Sequence, residues 1–129
     1  MPRDRTTLKE VASMLQFDKD GLVPAVVQDA STLQVLVLAF MNEESYRLTR
    51  ETGQAWFWSR SRQELWHKGD TSGHVLNVRQ VLINCEENSL LLLVDPIGPT
   101  CHTNNVSCYY REIEADGTLQ PLPWALAEA

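Results

Sequence analysis

Positive charge is scarce in this chain. Eleven lysines and arginines stand against seventeen aspartates and glutamates, a net charge of -6 at pH 7. That balance argues against general affinity for nucleic acid or anionic membranes, though it leaves room for a local basic pocket. Long apolar runs are missing as well: the longest, "VLVLAFM" and "LLLLV", are far too short to span a bilayer. The opening "MPRDRTTLKEVASMLQFDKDG" holds no uninterrupted apolar core, so it does not read as a signal peptide, and a cytoplasmic location is expected. Cysteines number three, an odd and small count that in a reducing compartment speaks against a disulfide framework. Repeats, low-complexity tracts and long charge blocks are also lacking. What remains is 129 residues with 43% hydrophobic and 22% charged content, enough to bury a core as one domain over residues 1–129.

Local patterns give the coarse fold. Thr7-Leu8-Lys9-Glu10 has capping-box spacing, and Leu8, Val11, Ala12 and Leu15 form an apolar stripe, which predicts a helix there. "LVPAVVQ" and "LQVLVLAF" read as strands joined through "DAST" in a hairpin. Asn42 as N-cap, Glu43 and Glu44 in the first turn and Gly53 as C-cap predict a helix over 43–52. "AWFWS", "ELWHK", "VLNVRQVLINC" and "SLLLLVDP" are four further strands, with "GDTSG" a tight polar loop between the second and third. A short strand is expected around "SCYYREI", and the tail "EADGTLQPLPWALAEA" reads as turn-rich and peripheral. The expected class is α+β, with a curved, mostly antiparallel sheet and two short helices.

Two stretches are dense in chemistry. "GPTCHTNNVSC" places Cys101, His102 and Cys108 together, and Cys85 completes a C-x15-C-x6-C spacing. Without a C-x2-C knuckle the usual structural zinc-finger spacing is absent. Three thiolates would leave tetrahedral zinc one position for water, whereas His102 as a fourth ligand would make the site purely structural. Adjacent residues rarely aim both side chains at one metal, which favours His102 as a proton-transfer group. Spacing alone leaves open that these are three unrelated buried cysteines. A zinc deaminase is excluded, because neither H-x-E nor P-C-x-x-C occurs.

The second stretch is "FWSRSRQELWHKGDTSG". If "WSRSR" is extended, Arg60 and Arg62 share one face and Ser59 and Ser61 the other, flanked by Trp58 and Trp66. Lys68 adds positive charge, and Asp70-Thr71-Ser72-Gly73 offers hydroxyls and backbone N–H groups suited to phosphate. The competing reading is a solvated edge strand with packed tryptophans.

Taken together, these two stretches and the strand–helix order of residues 22–62 resemble the phosphoribosyl-AMP cyclohydrolase family of histidine biosynthesis. The resemblance covers roughly residues 17–111 and points to a monofunctional form without a fused pyrophosphohydrolase. It implies a homodimer in which zinc is bound by Cys85, Cys101 and Cys108, with Cys85 supplied by the partner subunit and His102 as general base. It further implies a small phosphorylated nucleotide as substrate, with no nucleic-acid or membrane partner. Trp58, Ser59, Arg60, Ser61, Arg62, Lys68, Thr71 and Ser72 would bind it. The ring-opening chemistry would fall at the adenine N1–C6 bond, C6 being electrophilic because N1 carries the second ribose. Two departures stand out. The family commonly reads Asp-Cys-Asp-x-Asp, its carboxylates assigned to Mg²⁺; here Asn84, Glu86 and Asn88 hold those positions, on one face if the chain is extended, so weaker magnesium binding is expected. Asn104 replaces a usual glycine, and Asn tolerates left-handed backbone angles. A dimeric binding module with structural zinc, and a relative that binds nucleotide without turnover, are the rival readings.

Overall fold

The computed structural model describes residues 14–127, so the helix expected to start at Thr7 lies outside the described residues. Eight strands follow in chain order: β1 Val23–Asp29, β2 Val35–Met41, β3 Trp56–Ser59, β4 Glu64–His67, β5 Leu76–Ile83, β6 Leu90–Pro96, β7 Arg111–Ile113 and β8 Leu119–Pro121. One α-helix, α1 Glu43–Thr52, lies among the described residues, together with a 3₁₀ turn at Pro123–Ala125. The class is α+β, with mostly antiparallel pairing.

The main sheet has the order β2-β1-β6-β5. Two local hairpins build it. In the first, the Asp29 carboxylate accepts the N–H groups of Ser31 and Thr32, and Leu33 takes φ +66° to reverse the chain. The second, β5–β6, is likewise antiparallel. The hairpins join along a parallel seam in which Ala25 pairs with Leu90 and Val27 with Leu92. Val23, Ala25 and Val27 of β1 and Leu90, Leu92 and Val94 of β6 alternate into the core, where they meet Leu36, Met41, Tyr46 and Phe57. The opposite face stays open. Val35, Leu38 and Leu82 are exposed there, and Val26 and Leu91 lie in the groove that Val35 and Leu82 border.

Helix α1 has the boundaries its caps demand. The Asn42 side chain accepts the Ser45 N–H at 2.8 Å while Ser45 Oγ accepts the Asn42 N–H at 2.9 Å, and Gly53 closes the helix at φ +76°. Its buried Thr49 hydroxyl accepts the Trp56 N–H at 2.9 Å, which fastens the helix to β3. Strands β3 and β4 form a separate ribbon whose Phe57 is fully buried.

The tail is less peripheral than its composition suggests. Strand β8 pairs with β7, and Ala125 is fully buried, its carbonyl accepting the N–H groups of Val106 and Ser107. The strand expected around Ser107 begins only at Arg111. Ser107 is instead a buried anchor: its hydroxyl donates to the Val35 carbonyl of β2 at 2.7 Å and accepts the Tyr109 N–H.

Candidate active site

A cleft of about 750 Å³ opens between the β3–β4 ribbon, the loop after β4 and the loop that carries Cys101 and His102. Ser59, Ser61 and Arg62 line it from the ribbon turn, Lys68, Thr71 and Ser72 from the polar loop, and Cys101 and His102 from the thiol loop. Eight of the residues expected at the site therefore share one cleft.

Two do not. Residues 60–63 form a turn, not an extension of β3: the Arg62 N–H donates to Ser59 Oγ, the Gln63 side chain donates to the Arg60 carbonyl, and Gln63 takes φ +54°. The turn parts the two arginines. Arg62 stays on the cleft, whereas the Arg60 guanidinium lies 3.8 Å from the centre of the Phe40 ring, in a separate depression shared with Trp58. Arg60 thus leaves the face it was expected to share with Arg62, and Trp58, expected to flank the pair, lies with Arg60 away from the cleft.

Lys68 has a more specific setting than a surface phosphate ligand. It is buried, and its charge interacts with both Cys101 and Cys108. Burial lowers its pKa and the two sulfurs draw it part of the way back. Burial would raise the Cys101 thiol, but hydrogen bonds from Thr103 and Cys108, together with the Lys68 charge, outweigh it and the net shift is downward. Cys108, a residue open to the surface, moves the other way, pushed up to about 11 by desolvation of its sulfur and then by Cys101 beside it. The first negative charge of the pair therefore rests on Cys101. These two soft donors, side by side against a cation, suit a thiophilic metal such as zinc.

Cys85 lies elsewhere, exposed in the β5–β6 turn, and among the described residues of one chain no three His, Cys, Asp or Glu side chains gather as a metal site. The donor set fits zinc only if a further ligand comes from beyond these described residues. Asn84, Glu86 and Asn88 are also in that turn and not on an extended strand. Asn84 Oδ1 accepts the N–H groups of Asn88 and Ser89, and Asn84 Nδ2 donates to Asn88 Oδ1 at 2.6 Å. Glu86 is the single carboxylate of the three.

Sequence reasoning passed over His74, which lines the cleft beside Lys68 and His102. Its place depends on two glycines. A Cβ on Gly69 would come within 2.5 Å of the His74 and Val75 backbone, and one on Gly98 within 2.7 Å of the His74 ring. Both glycines also hold positive φ. A histidine directly after the "GDTSG" turn was the available signal.

Asn104 adopts φ +67°, the left-handed angle that its replacement of glycine anticipated. Asn104→Gly is expected to fold as stably as the parent. Asn104→Val should lose roughly 1–2 kcal/mol, because a β-branched residue is penalised in that region. Urea unfolding of both variants checks this, and equal stability of Val and Gly would contradict it.

The fold and cleft define a small α+β domain in which one thiol of a cysteine pair, two histidines and a polar loop converge on one opening. Sequence comparison narrows the class. A family model described as phosphoribosyl-AMP cyclohydrolase matches residues 37–110, from β2 through the thiol loop. The chain is 54% identical over 101 residues to the histidine biosynthesis bifunctional protein HisIE of Bacillus subtilis, covering 78% of this chain and 48% of that protein. It is 54% identical over 98 residues to the phosphoribosyl-AMP cyclohydrolase of Lacticaseibacillus casei, 75% of this chain and 89% of that one. The corresponding Erythrobacter litoralis protein is 53% identical over 105 residues, with 81% and 83% coverage. The chain spans about half the length of the bifunctional relatives and most of the monofunctional ones. It belongs to the phosphoribosyl-AMP cyclohydrolase family.

Proposed function

We propose that this chain is a hydrolase of histidine biosynthesis that opens the adenine ring of phosphoribosyl-AMP at the N1–C6 bond. The observation that carries the reading is the convergence of Cys101 and His102 with Arg62, Lys68, Thr71 and Ser72 on one cleft. Cys101 and Cys108 would hold zinc with Cys85 of a second subunit. Zinc, when bound, supplies Lewis-acid activation of water. His102 would take the proton from the attacking water and return one to N1 as the C6–N1 bond breaks. The water oxygen ends on C6, the bonding pair leaves with N1, and the exocyclic nitrogen stays on C6 as a carboxamide. Arg62, Thr71 and Ser72, with Ser59 and Ser61, bind phosphate and sugar oxygens. Lys68 holds the thiol pair's negative charge in place. Mg²⁺ would enter with the substrate phosphates, since the Asn84–Glu86–Asn88 turn offers one carboxylate.

A cytoplasmic homodimer is part of the proposal. The open apolar sheet face supports it, because Val35, Leu38 and Leu82 would otherwise stay in water. Cys85 follows the groove-lining Asn84, and the Cys108 N–H bonds the Leu36 carbonyl of β2, which puts Cys108 at the edge of that sheet. No helix among the described residues is long and apolar enough to cross a membrane.

Zinc analysis and a spectrophotometric ring-opening assay on the purified dimer test the reading, and a zinc-loaded dimer without turnover would refute it. Within that assay Arg62→Ala should raise KM by about ten-fold or more, as expected for a lost charged contact to phosphate. Arg60→Ala, stacked on Phe40 away from the cleft, should raise it less. Equal effects would mean that the ribbon turn does not separate the two arginines in the working enzyme.

A further inference from the structure

We propose that the C-terminal segment Leu122–Ala127 is a strap that positions the Cys101 thiol, acting through Asn105. Three hydrogen bonds in series link them. The Ala127 N–H donates to Asn105 Oδ1 at 2.8 Å, Asn105 Nδ2 donates to Thr103 Oγ1 at 2.9 Å, and the Thr103 hydroxyl donates to Cys101 Sγ at 3.0 Å. The direction of the series is fixed at its far end. A backbone N–H can only donate, so Ala127 turns the amide oxygen of Asn105 toward itself and the amide nitrogen toward Thr103. Thr103 Oγ1 is then occupied as an acceptor, and its proton is directed to the sulfur.

The same segment holds the loop by its backbone. The Ala125 carbonyl accepts the Val106 N–H at 2.9 Å and the Ser107 N–H at 3.4 Å, and burial of Ala125 ties those bonds to the core. Upstream, the Leu122 N–H bonds the Tyr110 carbonyl at 2.9 Å, so the strap is anchored at both ends. The loop closes on itself between these points, with the Cys101 N–H on the Asn105 carbonyl and the Asn104 N–H on the Cys101 carbonyl. Asn105 therefore joins the strap and the thiol in one side chain. The family match ends at residue 110, before the strap begins. Asn105 is a positioning residue: it touches neither the Cys101 sulfur nor substrate, but directs the group that does.

The positioning stands on these bonds alone; its consequence for zinc rests on the function proposed above. Two measurements keep them apart. The variants are Asn105→Ala and Ala127→Pro in the full chain. The second removes a single N–H, and Leu126, at φ -81° and ψ 157°, already has the extended backbone that precedes proline. Amide hydrogen exchange of the purified protein should show the Thr100, Cys101 and Asn104 N–H groups opening about ten-fold faster or more in both variants, with β1 and β6 unchanged. Zinc affinity, read by chelator competition, should fall about ten-fold in both, the size expected when the support of a metal ligand is lost. Thr103→Val should lower zinc affinity similarly without speeding exchange at Val106 and Ser107. Loop exchange at the parent rate in both variants overturns the strap, as does unchanged zinc affinity in a parent that binds zinc. A parent that binds no zinc, with loop exchange still accelerated in both variants, overturns the zinc reading and leaves the strap standing.

Discussion

Cys101→Ser is expected to abolish both zinc retention and ring opening while the fold survives. The substitution exchanges a sulfur whose negative charge is favoured by Thr103, Cys108 and Lys68 for a hydroxyl that stays protonated at neutral pH. The exchange is nearly isosteric, and Ser can still accept the Thr103 hydrogen bond, so thermal unfolding should move little. Cys85→Ser should be equally inactive, although Cys85 lies exposed in a turn away from the cleft-lining thiol. The two inactive variants together give a sharper result. If Cys85 serves the partner's Cys101 and Cys108, a mixed dimer places both lesions in one site and leaves the other intact. Random exchange makes about half the dimers mixed, so co-refolding should restore about a quarter of the parent activity. Binding within a single chain would restore nothing, and mass spectrometry confirming mixed dimers makes that negative result decisive. Full zinc occupancy and activity in Cys101→Ser alone would defeat the thiol assignment.

His102→Ala carries the second large expected effect. His102 is exposed, follows Cys101 directly and lines the same cleft as Arg62 and Lys68, so substrate and proton acceptor share one opening. Removing a positioned proton-transfer group lowers turnover by roughly 10²–10⁴-fold. Zinc content should match the parent, because the metal is assigned to sulfur. KM should move much less than kcat, since the phosphate-binding groups are untouched. Zinc lost along with activity would instead make His102 a ligand and the site structural.

What the chain revealed in advance follows the range of the forces involved. The bounds of α1 were legible because its caps are written within a few residues: Asn42 with Ser45, and Gly53 at φ +76°. The β1–β2 hairpin was legible for the same reason. The turn at 60–63 was not, because alternating Ser and Arg reads as a strand, and the turn is closed by side-chain contacts of Ser59 and Gln63 that carry no periodicity. Residue type and the family resemblance together singled out eight residues that line one cleft. Their grouping was not legible, since the split between Arg60 and Arg62 depends on that turn and on Phe40 in a distant strand. Burial of Ala125 was hidden too: one small residue in a turn-rich tail has no pattern to announce it.

The parallel seam between β1 and β6 carries a kinetic consequence. Each hairpin can zip locally on a microsecond scale, but the seam must close the chain from Asp29 to Leu90 before Val27 meets Leu92. The helix, the ribbon and the polar loop all lie within that closure, and the thiol loop then fastens to β2 through Ser107. Seam formation is therefore the expected rate-limiting event of folding, with the hairpins its precursors. Leu92→Ala should slow refolding, whereas Ile113→Ala in the late, exposed β7 should leave the refolding rate unchanged. Stopped-flow refolding of the two variants measures the difference, and equal refolding rates would place the seam after the barrier. Until the seam closes, the thiol loop that follows β6 has no β2 edge to fasten to, and the bond from the Cys108 N–H to the Leu36 carbonyl is among the last features of the molecule to exist.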